Sequence, residues 1–392
     1  MMLRQDTKAT MLHFQLIIVL LAFSLLATAD GFLSVSHLLQ AVPPSESSRR
    51  EDKVSQVRTT TNTQATSSSS TGSISLQRTS PSIQNIGGRR CLVAPCRNPS
   101  SKGTNPPLII IGGTAQTIFS WEHHIPGLSK DRDVLVYECL GQGPLSTEQC
   151  DRKMQNVSNV TLAYQAEALS DVVEAAHEQG IFQGLCVDIA GFSLGGRIAL
   201  ATASVSPHMI RKLHVTGVGA VRDEYSKVVI ASWKDIVSQA DEQAKSGNSE
   251  EATLRAFGWS TILATYSRDF IASMGSERIG AWVDGIASQN TLEGIAALLK
   301  QTHGETEKDE WSPLSIAKRI NQSEGSVAEK DRIKGKLVVG GNDQMATPEE
   351  VERLGKELGW DVTLLSTSAG HAVPMECARE WRADLLDFLS GN

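Results

Sequence analysis

The 392-residue chain has little cysteine, few aromatic residues and no basic excess. Its six cysteines (Cys91, Cys96, Cys139, Cys150, Cys186 and Cys377) are too scattered for a disulfide framework. Only Cys91 and Cys96 stand close enough for a small loop bridge, and two free thiols suit them as well. No His/Cys group has zinc-ligand spacing, so neither a metal site nor a cofactor is expected. A net charge of −7 advertises no surface for nucleic acid. No apolar run has the length of a bilayer span: the run at residues 16–27 is of signal-peptide length.

The N-terminal part reads as an address. Arg4 and Lys8 precede the apolar run, and small residues (Ala27, Ala29, Gly31) follow it, so residues 1–31 are expected to be a signal peptide. Residues 32–88 are rich in Ser and Thr, more basic than acidic, and expected to be disordered. A signal peptide followed by such a segment resembles the bipartite plastid presequence of algae with secondary plastids, with Phe32 after the cleavage site. A secreted protein with a flexible stalk is the alternative. Asn156, Asn159 and Asn321 head glycosylation triplets, which decide little.

The folded part is expected from about residue 89. The continuous apolar run at 107–111 reads as a strand buried on both faces, and the stretches 133–138, 185–190, 210–218, 336–341 and 361–365 read as further strands. Helical patterns alternate with them, and several of the strands end in glycine. Ligands bind at the carboxyl ends of strands in open α/β sheets. Residues 222–330 break this rhythm and read as helices only, at 234–244, 251–264, 270–274, 292–299 and 313–320. They carry Phe257, Trp259, Tyr266, Phe270, Trp282 and Trp311, which either pack the insert or roof an apolar pocket. Strands resume at about residue 331. Thr347, Pro348 and Glu350 look like an N-cap, a first-turn proline and a capping-box acid.

The most informative stretch is Gly191-Phe192-Ser193-Leu194-Gly195-Gly196. Strand, G-x-S-x-G, helix is the pattern of a nucleophile elbow, in which the serine occupies a tight strained turn. Gly191 and Gly195 are needed where a Cβ would strike a neighbouring element, and Gly196 suits close helix–strand packing. Serine is a weak nucleophile without a base and a group that orients the base. Asp343 and His371 each follow a late strand, which is where such groups must lie. His123, His124, His177, His208, His214 and His303 fit less well and read as packing or surface residues. Asp188 lies within the strand before the elbow, out of reach of His371.

Together the 191–196 elbow, the Gly340-Gly341-Asn342-Asp343 turn and Ala369-Gly370-His371 resemble the α/β-hydrolase superfamily over roughly residues 105–390. The resemblance implies an α/β-hydrolase fold: a mostly parallel sheet flanked by helices, in two parts (89–221 and 331–392) around a helical cap (222–330). It implies the order Ser193, Asp343, His371 for nucleophile, acid and base. It also implies an oxyanion hole from the Leu194 and Thr114 amides, with Gly113, Phe192 and Arg197 touching substrate. The loop Gly112-Gly113-Thr114 departs from the usual His-Gly-x. The function implied is a serine hydrolase of a small ester, thioester or similar acyl substrate. The elbow with Arg197 is also similar to that of the SHCHC synthase family, lyases that use the same three residues to abstract a proton. A non-catalytic binding protein on this fold is a further alternative. Oligomeric state is not legible in the sequence.

Overall fold

The computed structural model describes residues 80–144, 160–238, 250–301, 309–324 and 332–391. The signal and presequence expectations for residues 1–79, and those for Asn156, Asn159, Cys150 and His303, fall outside these residues.

One eight-stranded sheet forms the centre. Its strands are β1 (Ser82–Ile86), β2 (Arg89–Ala94), β3 (Leu108–Ile111), β4 (Val134–Tyr137), β5 (Val187–Phe192), β6 (Ile210–Thr216), β7 (Lys334–Gly340) and β8 (Asp361–Ser366). They lie side by side in the order β1-β2-β4-β3-β5-β6-β7-β8. β1 and β2 form an antiparallel hairpin, β2 is antiparallel to β4, and every later pairing is parallel. Every residue of β3, β4 and β5 is buried, as their unbroken apolar runs require.

Helices cover both faces. On one lie α1 (Leu162–Glu178), α2 (Leu194–Val205), α7 (Pro313–Glu324) and α8 (Pro348–Leu358), and on the other lies α9 (Ala378–Ser390). The insert contributes α3 (Glu224–Ser238), α4 (Glu250–Thr265), α5 (Arg268–Gln289) and α6 (Leu292–Gln301). Among the described residues, no helix is long and apolar enough to cross a membrane.

Several sequence expectations need correction. The segment expected to be disordered to residue 88 already contributes β1, turned by Gly87 and Gly88. Both have positive φ, as a two-residue type I′ hairpin turn demands. The first insert helix begins at Glu224, not 234, because the Asp223 carboxylate accepts from the amide and hydroxyl of Ser226. α7 packs on α2 and α8 and so belongs to the sheet-covering layer rather than the cap. Thr347 makes no side-chain capping bond. Glu350, expected to close a capping box, instead accepts from the Val221 amide, while its carbonyl accepts from Ala220. Gly217, at φ 68°, ends β6 two residues before the expected point. The final helix is broken at Cys377 into Val373–Glu376 and α9. Cys91 and Cys96 are free thiols, and burial pushes the Cys91 thiol up.

Asp188 is wholly buried at the start of β5. Its carboxylate accepts from Arg132 at 3.0 Å and from Arg211 at 2.8 and 2.5 Å. Burial raises its pKa, and the two guanidiniums oppose that rise. Removing the Arg132 guanidinium strips the buried carboxylate of part of its countercharge, with Arg211 supplying the rest. Arg132→Met is therefore expected to destabilise the fold by about 3 kcal/mol, measured by urea unfolding, and a loss under about 1 kcal/mol would contradict this account.

His124 is fully buried among Trp121, Trp381 and His123, with Nε2 on the Pro374 carbonyl. Burial lowers its pKa from 6.5 to about 3. The unfolded chain then binds more protons between those values, so stability falls as pH drops through that window. His124→Gln should flatten the slope of unfolding free energy against pH there by up to ~1.4 kcal/mol per pH unit; an unchanged slope would count against it.

Candidate active site

Ser193 stands between β5 and α2 with φ 52° and ψ −115°. Among the described residues only it and Ala115 are non-glycines with positive φ. The sequence permits this because its neighbours lack side chains. A Cβ on Gly191 would lie 2.6 Å from the Gly195 carbonyl oxygen, and one on Gly195 would overlap the Ile111 carbonyl of β3. At Gly196 a Cβ would fall 2.7 Å from Val218, so α2 rests directly on the β6 layer.

The three residues expected to act together are together. His371 Nε2 lies 2.9 Å from Ser193 Oγ, and His371 Nδ1 lies 3.0 and 2.9 Å from the two oxygens of Asp343. Asp343 is buried, and its Oδ1 also accepts from the amides of Met345 and Ala346, each at 2.8 Å. The carboxylate is thus fixed from two sides, and it in turn fixes the imidazole. The Phe192 ring packs against His371, with centroids 5.1 Å apart. A Cβ at Gly217 would meet the imidazole at 2.9 Å, so a glycine is required there twice over.

Leu194 is the first residue of α2, so its amide has no acceptor within the helix. Thr114 lies on the loop after β3, which side chains that the sequence did not single out hold in place. Gln116 Oε1 accepts from the Gly113 amide at 2.9 Å, and Gln142 Nε2 donates to the Gly113 carbonyl. The three-residue offset from Gly113 to Gln116 was the available sign.

Leu194 and Thr114 line a cavity of about 460 Å³, together with Ser193, His371, Gly113, Phe192 and Arg197. Every residue expected to act or to touch substrate, Asp343 apart, therefore borders one space, and Asp343 stands behind His371. Of the insert aromatics, Tyr266 and Trp282 line the cavity, joined by Trp233 of α3. Phe270 stacks on Tyr266, Phe257 packs edge-on against Trp233, Trp259 packs among Ile262, Ile279 and Val283, and Arg319 lies over Trp311.

Residues 108–385 match the profile of the alpha/beta hydrolase family. The chain belongs to that family. It is 24% identical over 196 residues to a pyrrolizixenacetamide deacetylase of Xenorhabdus hominickii, covering 50% of this chain and 64% of the deacetylase, which is under two thirds of that relative's length. It is 28% identical over 249 residues to a 2-hydroxymuconate semialdehyde hydrolase of Pseudomonas sp. (strain CF600), covering 59% of this chain and 80% of the relative. An alpha/beta hydrolase enzyme from a Medee basin deep-sea metagenome library has a similar structure. Its TM-score is 0.60 at 20% identity, over 79% of this chain and 98% of that one.

In this alpha/beta hydrolase the cap is latched to the histidine loop. Glu376, five residues past His371, accepts from the Ser267 amide at 2.8 Å, the Ser267 hydroxyl at 2.5 Å and the Gly370 amide at 3.1 Å. Ser267 is the N-cap of α5, and the Ala372 amide donates to Thr265 at the end of α4. The junction of two cap helices is thus bonded to both flanks of His371. Glu376→Ala is expected to cost about 2–3 kcal/mol and to speed hydrogen exchange at the Ser267 and Gly370 amides at least ~10-fold. Unchanged exchange at both amides would refute the latch.

Proposed function

We propose that this chain is a serine hydrolase of a small ester, thioester or related acyl compound. The reading rests on one observation: an unbroken series of hydrogen bonds from Asp343 through His371 to Ser193 Oγ, ending in a cavity roofed by the cap. In the proposed reaction, Ser193 Oγ attacks the substrate carbonyl while His371 Nε2 takes its proton. The oxyanion that forms receives the Leu194 and Thr114 amides. His371 then protonates the leaving group, an acyl-enzyme remains on Ser193, and His371 activates water to release the acid. Asp343 keeps the imidazole in the tautomer with Nδ1–H toward itself. The two curated relatives named above, a deacetylase and a hydrolase, are consistent with acyl transfer to water.

The lyase reading uses the same three residues and draws on one further observation, the burial of Arg197 in the cavity wall. There Ser193 and His371 would abstract a carbon-bound proton and expel pyruvate. A fluorophosphonate probe separates the two readings from a mere binding protein. Ser193 should label, Ser193→Ala should not, and Asp343→Asn should lower the turnover of a p-nitrophenyl ester by about 10⁴-fold. Well-folded protein that labels at Ser193 but hydrolyses no short-chain ester, and that releases pyruvate from the quinone-pathway intermediate, would replace the hydrolase with the lyase.

A further inference from the structure

The loop after β3 turns at Ala115, which is buried and has φ 65°. On either side of that turn, Thr114 and Gln116 both line the cavity. Two contacts bond this loop to the end of α5. The Thr117 hydroxyl donates to Gln289 Oε1 at 2.5 Å, and Asn290 Nδ2 donates to the Ala115 carbonyl at 3.2 Å. Gln116, Ser120 and Gln289 thus make up one stretch of the cavity wall. Each glutamine is tied down by its oxygen. Gln116 Oε1 accepts from the Gly113 amide at 2.9 Å, and a backbone amide can only donate. The Gln116 carboxamide therefore has one orientation, with Nε2 as its free end. Gln289 is held in the same sense by Thr117. Among the described residues, Gln116 Nε2, Gln289 Nε2 and Ser120 Oγ have no hydrogen-bond partner, yet each keeps accessible surface. Neighbouring Asn290 differs, because its Oδ1 also accepts, from the Gly143 amide at 3.2 Å.

Polar groups held inside a protein normally find partners at both ends. Two neighbouring carboxamides that use only their oxygens leave a donor surface, and it opens on the cavity that holds the nucleophile. Carboxamide nitrogens offer hydrogens and carry no charge, so ketone, hydroxyl and amide oxygens match them, while a cationic head would meet only hydrogens. The Ser120 hydroxyl can donate or accept, which suits a ligand hydroxyl as well as a carbonyl. An alkyl chain laid on this wall would strip water from both nitrogens and return nothing. A site built to hydrogen-bond its substrate rejects the analogue that lacks the oxygen in this way. Val218, Val221, Ile230 and Trp233 give the rest of the substrate apolar contact.

We propose that Gln116 and Gln289 form a subsite for a neutral acceptor oxygen, and that the substrate carries a ketone, hydroxyl or amide oxygen besides the carbonyl that meets Ser193. The subsite deepens the hydrolase reading and rests on it only for the position of the reacting carbonyl. The test is calorimetric binding to the full chain carrying Ser193→Ala, with two matched pairs of esters. Benzyl levulinate against benzyl pentanoate places the extra oxygen in the acyl half. Acetonyl phenylacetate against propyl phenylacetate places it in the alcohol half. At least one keto ester should bind ~5-fold or more tighter than its alkyl partner, as one net hydrogen bond implies. The favoured pair shows which half of the substrate carries the oxygen. Gln116→Glu keeps an acceptor for the Gly113 amide and replaces the donor by an oxygen, so it should remove the preference. Gln289→Met keeps the length of the side chain and should at least halve the preference; it carries the test if Gln116→Glu does not fold. A merely displaced loop would weaken both members of a pair alike and leave their ratio unchanged. The proposal is overturned if neither keto ester is preferred, or if the preference survives undiminished in the variants. Fluorophosphonate labelling of the chain with Ser193 intact keeps the two readings apart. Labelling without a keto preference removes the subsite alone; a keto preference without labelling removes the hydrolase alone.

Discussion

The positive φ of Ser193 is the constraint on which the rest of the structure depends. Holding a non-glycine residue there costs of order 1–3 kcal/mol, and the conformation persists only where its surroundings over-determine it. Here they do so through backbone contact. Gly195 sits against the Ile111 carbonyl, Gly191 against Gly195, and Gly196 against Val215 and Val218. The Ser193 amide donates to Thr216, so the elbow is bonded to β6 while it leans on β3. The serine is therefore aimed by the two strands that flank its own. Those strands lie at the centre of the sheet, β3 wholly buried and β6 buried at all but Arg211.

His371 has no such rigid support, since it lies on a loop beyond β8, the last strand of the sheet. Its position is set by side chains and by the cap. Asp343 holds one ring nitrogen and is itself held by two amides. Glu376 binds the amide just before the histidine, and the cap junction at Thr265–Ser267 binds what comes after. A cap bonded in this way does more than roof the cavity. The α4–α5 junction and the loop that carries His371 therefore share one hydrogen-bond network.

Where the backbone's needs are written in glycine and serine, the sequence was legible. The elbow, the order of Ser193, Asp343 and His371, the parallel strands and the helical insert could all be read, because each depends on local residue type or on an apolar run. The β1–β2 hairpin was missed although Gly87-Gly88 is a hairpin signal, because the Ser/Thr-rich composition upstream masked it. The role of Glu350 was misread because a capping box and a long-range bond to Val221 use the same side chain at the same position. The latch from Glu376 to Ser267 and the bond from Gln142 to Gly113 had no local sign at all. Both join residues more than twenty positions apart, and only the closed sheet brings them together.

β5 shows why two of the buried acids of this fold, Asp188 and Asp343, differ in what surrounds them. Asp188 and Ser193 lie on one continuous stretch, separated by roughly 16 Å at strand rise. At the lower end, Asp188 is saturated by two arginines, and Lys212 nearby donates to the carbonyls of Phe388, Leu389 and Gly391 at the end of α9. That network ties the lower end of the sheet to the C-terminal end of α9. At the upper end, Asp343 accepts from two amides and faces the His371 imidazole. A carboxylate matched by guanidiniums has its countercharge permanently in place and can only hold the structure together. In the proposed reaction, one matched by amides and an imidazole stabilises the imidazolium that forms as the serine proton is taken. The chemistry at the top of β5 thus depends on which donors surround each acid, and not on how deeply the acids are buried.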